Sequence, residues 1–185
     1  MTRTADAIVL MGPPGSGKSH LAWRLHERGI AHFEELEHEV MQRFGSGADF
    51  AARKAEALDY IEARLREQLD ASSGQQAEQA GGREVAAPPV AIQSTGLSDR
   101  DILLRLAQDF RLLFARINTP RETCVARVQS RPQHENLSND PAAAASFHAY
   151  WHTQVAPLWR FDLELGGVDA EADAGLIQRV LEAAP

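Results

Sequence analysis

Apolar residues along this chain fall into short unbroken runs separated by stretches with helical spacing, and the two kinds alternate. The run Ala7-Ile8-Val9-Leu10-Met11 predicts a buried strand over about residues 6–11, and Leu21–Arg28 has the amphipathic spacing of a helix spanning about 18–28. Gly29 is a good helix stop, after which Ile30–Phe33 predicts a short second strand. Glu35–Phe44 reads as a short helix closed by Gly45-Ser46-Gly47. Asp49 then caps a longer helix to about Leu69, with Ala51, Ala55, Leu58, Ile61, Leu65 and Leu69 on one face.

From Ala71 to Ala87 the periodicity stops and Ser, Gly, Gln and Ala dominate, which predicts a flexible insertion within the domain. Strand three is Pro89–Ser94, ending in Thr95-Gly96, and Ser98 caps a helix over Asp99–Asp109. Strand four covers about Leu112–Ile117 and is followed by a helix from about Pro120 to Ser130. The polar stretch 131–141 reads as a lid, Pro141 opens a helix to about Val155, strand five is Phe161–Leu165, and Leu176–Leu181 is a closing helix. Five strands with crossover helices predict an α/β fold: a three-layer, doubly wound, five-stranded parallel sheet in a single domain spanning 1–185.

Composition narrows the possibilities. A 20.3 kDa chain with 44% hydrophobic residues has enough apolar material for one sizeable core. A net charge of −7 argues against a nucleic-acid surface, which needs clustered Lys and Arg. No apolar run approaches the ~18 residues of a membrane span, and no basic-plus-apolar leader is recognisable, so a soluble cytoplasmic protein, a monomer or weak dimer, is expected. Cys124 is the only cysteine; on a helix after a strand it reads as a small core residue.

The chemistry begins directly after strand one. Gly12-Pro13-Pro14-Gly15-Ser16-Gly17-Lys18-Ser19 is a complete G-x-x-x-x-G-K-[ST] phosphate-binding loop in its required strand–turn–helix context. Glycines at Gly12, Gly15 and Gly17 let backbone N–H groups, Ser16 included, turn inward around an anion, and the following helix adds its positive end. Lys18 reaches the β- and γ-phosphates, Ser19 ligates Mg²⁺, and His20 stands next to them on the nucleotide side. ATP with Mg²⁺ is the expected cofactor pair. No N-K-x-D or D-x-x-G motif marks a GTPase, and strand three ends Gln93-Ser94-Thr95-Gly96 where a motor-type AAA+ ATPase carries Asp-Glu.

Glu35-Leu36-Glu37 follows strand two, at the carboxyl edge where open α/β sheets bind ligands. One carboxylate there suits a metal-bound water and the other an acceptor hydroxyl; equally, the run from Glu34 to Glu39 is what a helix start favours. Arg53 and Glu56 have i, i+3 spacing, the usual form of a surface ion pair. Taken with Ala52-Arg53-Lys54-Ala55-Glu56, Ser94-Thr95-Gly96 and Arg127-Val128-Gln129-Ser130-Arg131-Pro132, the chain resembles the phosphate-loop small-molecule kinases, most closely the shikimate kinase group. That resemblance implies Glu35 as a metal-side carboxylate and Glu37, Arg53 and Gly96 as acceptor-binding residues. It also implies Arg127 near adenine and Arg131, a catalytic residue with Lys18, near the transferred group. A small acceptor is implied with them, anionic where Arg53 binds it. Departures stand beside the likeness: Glu for Asp after strand two, one acceptor-loop glycine, and no arginine within His148–Trp159. A nucleoside or nucleotide kinase and an ATP-binding switch without turnover are the alternatives. His148 and His152 lie four apart without a third ligand, and Tyr150, Trp151, Trp159 and Phe161 read as core.

Overall fold

The computed structural model describes residues 5–45, 48–78, 87–130 and 140–183. Four parallel strands, β1 (Ala7–Met11), β2 (Val90–Ser94), β3 (Leu112–Ile117) and β4 (Leu163–Leu165), form one sheet in the order β2-β1-β3-β4. β1 is completely buried because it is central and covered on both faces, which is why it reads as an unbroken apolar run. Its alternate residues divide between two cores. Ile8 and Leu10 join Leu21, Ala22 and Leu25 of α1 (Lys18–Glu27) and Ala174 and Ile177 of α8 (Ala170–Ala183). Ala7, Val9 and Met11 face the other way, onto α4 (Lys54–Glu78) and α5 (Arg100–Asp109). Trp151 and Val155 of the π-helical turn Trp151–Val155, which continues α7 (Pro141–Tyr150), complete that side.

The acceptor-side wall is α2 (Leu36–Phe44) and α3 (Ala48–Ala52) with the start of α4, held by a third, smaller cluster of Val40, Phe44 and Ala57. α6 (Arg121–Ser130) follows β3. Because β1 pairs with β2 on one side and β3 on the other, the chain direction across the sheet reverses at its carboxyl end, where such sheets open a crevice.

Three boundaries depart from the sequence reading. Residues 30–33 do not make a fifth strand; only His32 pairs, by an isolated parallel bridge to Val90 at the start of β2. The Ile30 and Ala31 amides are turned back onto the Leu25 carbonyl at the end of α1, leaving a single residue in register. The stretch from Ala71, expected to be a flexible insertion, begins as helix: α4 continues to Glu78, and Leu65, Leu69 and Ser72 keep one face seated, with the Ser72 hydroxyl 3.0 Å from the Pro88 carbonyl. The closing helix starts at Ala170, earlier than Leu176, because the Asp169 carboxylate accepts from the Glu171 and Ala172 amides. The lid expected over 131–141 falls outside the described residues except for Asp140 and Pro141, which cap and open α7.

Candidate nucleotide and acceptor site

The loop between β1 and α1 wraps an open helix end. α1 has no side-chain cap and no acid in its first turn, so its leading N–H groups are left to an incoming anion. The Lys18 ammonium rests on the carbonyls of Gly12 and Pro13 at 2.9 and 3.1 Å. The Ser19 hydroxyl donates to Gln93 Oε1 at 2.6 Å, joining the loop to the end of β2. Ser16 is fully buried, and its hydroxyl has no hydrogen-bond partner. At Gly15 the backbone has φ of 79°, and a Cβ there would collide with the Cys124 carbonyl, so α6 presses directly on the loop.

From α6, Arg127 donates to the carbonyls of Gly15 and Ser16, both at 3.4 Å, and of Gly167 at 2.9 Å. The Thr119 hydroxyl bridges the same two segments, 2.7 Å from the Ser16 carbonyl and 3.2 Å from that of Gly167. Asp173 fixes the far side by accepting from the Gly166 and Gly167 amides at 3.0 and 2.8 Å. Between these groups lies a cavity of about 320 Å³ lined by Gly17, His20, Arg127, Gly167 and Val168 among others. Ser16, Gly17, His20 and Arg127, predicted from sequence to hold nucleotide, therefore meet at one cavity.

A larger cavity of about 500 Å³ opens on the other side of the loop. Gly15, Gly17, Lys18 and Ser19 form one wall, α2 to α4 the opposite one, and Gln93, Thr95 and Asp99 the floor beneath α7. Of the predicted acceptor and metal residues, only Glu37 and Ser19 line it. Glu35 does not: it occupies the N-cap position of α2 and is exposed. The neighbouring Glu34 takes the inward place, accepting from Gln68 at 2.8 Å and pairing with Arg64 and His32. The His32 contact holds its carboxyl below the usual range, with Gln68 and Arg64 adding to the effect.

Arg53 lies outside the cavity wall. It pairs with Glu56 at 2.9 Å, donates to the Arg43 carbonyl and stacks its guanidinium 4.8 Å from the Phe44 ring centre, all on the exposed face of the wall. Gly96 is not a cavity residue either. Its φ of 70° and the close approach of Met11 Cε and Trp159 Nε1 make it a packing glycine, and its carbonyl accepts from Trp159 at 3.0 Å. Arg131 falls outside the described residues.

One residue with a chemical claim was passed over in the sequence. Asp99, read as the first residue of a helix, holds the N-cap position of α5 without capping it. Its Oδ1 is buried with no hydrogen-bond partner, at a cavity shared with Lys18. Burial pushes its pKa up against the opposing influence of Ser94 and Lys18. The signal available in sequence was an acid five residues past the end of β2, a spacing too common to single out.

The remaining candidates settle as structural. Cys124 is buried, and desolvation pushes its thiol pKa up, the opposite of an activated nucleophile. His148 and His152 stack at 4.4 Å, and no group of three metal-ligating side chains exists among the described residues. Trp151 is core, donating to the Thr95 carbonyl at 2.7 Å, but Tyr150 is 46% exposed, contrary to expectation.

A phosphate loop at the reversal point of a parallel sheet, flanked by a cavity on either side, is an arrangement of the phosphate-loop kinase fold. The solved structures agree. Shikimate kinase from Bacteroides thetaiotaomicron superposes with a TM-score of 0.61 at 17% identity, over 96% of this chain and 99% of that one. Shikimate kinase from Acinetobacter baumannii, solved with shikimate, gives 0.53 at 19% identity over 97% and 93%. A gluconokinase from Sinorhizobium meliloti gives 0.56 at 18% identity over 98% and 96%. At these identities the likeness is one of fold. A search of curated proteins returns no match. The family profile described as AAA domain matches residues 8–150, so the chain belongs to that family. Membership does not restore the Asp-Glu pair of a motor at the end of β2, where Gln93 and Ser94 stand. No helix among the described residues is long and apolar enough to cross a membrane.

Proposed function

We propose that this protein transfers the γ-phosphoryl group of ATP to a hydroxyl of a small molecule. The observation that carries the reading is the larger cavity: the phosphate loop and the acceptor wall line one continuous space, so a phosphoryl donor and an acceptor can meet there. Phosphoryl transfer asks mainly for alignment and for stabilisation of spreading charge. The loop amides, the open end of α1 and Lys18 supply that field; Arg127 keeps the loop in shape through three carbonyls. The residues present fit Mg²⁺ in donor chemistry at the Ser19 hydroxyl, with Gln93 behind it and the phosphate oxygens of the nucleotide completing the set. When bound, that ion would bridge phosphate oxygens and offset their charge.

We assign the acceptor's proton to Asp99. Its unpartnered Oδ1 and raised pKa suit a group that must be a carboxylate before transfer and a carboxylic acid after it. α7, through Ala143, Ala144 and Phe147, covers part of this cavity and would help keep water from competing with the acceptor. The cytoplasm, where ATP is supplied, is the compartment this reading expects.

The test is ADP release, and the phosphate ester formed, with MgATP and a panel of hydroxyl compounds. Acceptor-dependent turnover that disappears in Lys18→Ala supports the proposal. Full transfer by Lys18→Ala, or ATP binding with no acceptor-stimulated turnover across the panel, refutes it.

A further inference from the structure

The larger cavity has a chemical character that the shikimate kinase resemblance did not anticipate. Four arginines, Arg43, Arg53, Arg64 and Arg66, lie on or near the acceptor wall, and none of them lines the cavity among the described residues. Each is engaged elsewhere. Arg43 stacks 4.5 Å from the Tyr60 ring centre, and Arg53 pairs with Glu56. Arg64 is shared among Glu34, Glu39 and Glu67, and Arg66 between Glu62 and Asp109. Among the described residues the cation that lines the cavity is Lys18, which belongs to the phosphate loop and sits on its carbonyls. What faces the space instead is a hydrocarbon and aromatic wall, including Leu36, Met41, Phe50, Ile61, Leu65 and Phe147, and three carboxylates, Glu34, Glu37 and Asp99.

Away from the Lys18 and Mg²⁺ end, an anionic acceptor would give up its hydration without gaining a cationic partner among the described residues and would meet Glu37, both of which cost free energy. An apolar body would gain by leaving water, and an ammonium group would find carboxylates. We infer, building on the phosphotransferase reading, that the acceptor is a largely apolar alcohol, neutral or bearing an amine, and not a hydroxy acid. Its hydroxyl lies at the Asp99 and Lys18 end and its hydrocarbon part against α2, α4 and α7. In the transfer the acceptor oxygen forms its bond to the γ-phosphorus while the bond from that phosphorus to the β–γ bridging oxygen breaks. ADP leaves with that electron pair, and the hydroxyl proton goes to the Asp99 carboxylate.

Three probes on one skeleton separate the possibilities: 3-phenyl-1-propanol (neutral), phenylalaninol (cationic) and 3-phenyllactate (anionic). Their binding to the full chain in the presence of ADP and Mg²⁺ is measured by calorimetry, with no turnover required. The neutral and cationic probes are expected to bind at least about tenfold more tightly than 3-phenyllactate, a difference of about 1.4 kcal/mol. Met41→Lys, at a half-buried wall position, is expected to reverse that order, and Glu37→Gln to weaken phenylalaninol without weakening 3-phenyl-1-propanol. Equal or tighter binding of 3-phenyllactate overturns the inference, and so does failure of all three to bind at millimolar concentration. Binding order is read without transfer, so an acid-preferring protein that still phosphorylates would sink this inference alone. A protein that ranks the probes as expected yet never turns over would sink the phosphotransferase reading alone.

Discussion

The hydroxyl of Ser19 donates to Oε1 of Gln93 across a gap of 74 residues in sequence, at 2.6 Å. The hydroxyl to which we assign the metal is thus oriented by a neutral amide at the end of the neighbouring strand, where a motor-type AAA+ ATPase carries an acid. The other end of that amide, Nε2, is buried and has no partner.

Replacing Gln93 with Glu should therefore strengthen the grip on Mg²⁺. A carboxylate accepts the Ser19 hydroxyl as well as the amide does and adds a charge opposite the ion. In magnesium titrations of nucleotide binding, the midpoint is expected to fall by roughly three- to tenfold. An unmoved midpoint would show that Gln93 only braces the loop.

Asp99→Asn carries a prediction of opposite signs. Burial raises the Asp99 pKa in the folded chain above its unfolded value, so the charged form is the one folding penalises. That penalty is fully present above the folded pKa and disappears as the pH drops below the unfolded one, so this group makes the protein more stable toward acid. The amide removes the penalty: Asp99→Asn should melt higher than wild type at neutral pH, by about 1–2 kcal/mol, while kcat drops. A variant with lower kcat and a lower Tm would point to a structural role for the carboxylate.

Arg53→Ala should leave the KM for both ATP and the acceptor unchanged. Its guanidinium serves Glu56, the Arg43 carbonyl and the Phe44 ring on an exposed face, and exposed pairs contribute about 0–1 kcal/mol. A rise in acceptor KM with unchanged Tm would return Arg53 to the site.

Gly96→Ala probes the junction behind the acceptor cavity. The new methyl would stand 2.7 Å from Trp159 Nε1, closer still to Met11 Cε, and on a positive φ. Crowding and backbone strain together should cost about 1–3 kcal/mol, lowering Tm by several degrees in differential scanning calorimetry. Serine should fare no better than alanine.

The periodicity of the chain revealed the helices and the central strands, because β1 is buried on both faces and α1, α4 and α5 each bury one stripe. It misread residues 30–33, whose apolar character reflects packing under α1 while the Ile30 and Ala31 amides turn back to Leu25. It also misread Ala71–Glu78, where polar composition hid a helix anchored by Leu69 and Ser72. The phosphate loop was legible because its function needs fixed residue types at fixed spacing within one turn. The acceptor side was not. Whether Glu34 or Glu35 faces the cavity depends on where α2 begins, and one residue of helix register decides it. Asp99 reaches the site through tertiary placement of α5, which no local pattern records.

His152 gives the pH dependence a second component. Arg116 approaches its Nδ1 at 3.0 Å, and its Nε2 is buried without a partner, so a second proton has no welcome on the ring. Desolvation, with His148 and Arg116 nearby, lowers its pKa in the folded chain below the ordinary 6.5, against a smaller opposing effect of Glu164. The unfolded chain then binds protons first, and stability is lost as pH falls through 6.5 toward the folded value. Melting curves between about pH 7.5 and 5.5 should fall less steeply for His152→Gln than for wild type.

Thr119 sends one hydroxyl to carbonyls on either side of the nucleotide cavity, while Val40, Phe44 and Ala57 form a nucleus of their own beneath the acceptor wall. On the proposed reading the donor side is tied through backbone carbonyls, whereas the recipient side rests on side-chain packing that meets the main core at Ile61. Side-chain changes on the cavity face of the wall, at Glu37, Met41 or Phe50, can then retune what is recognised while the carbonyl ties at the phosphate end stay in place.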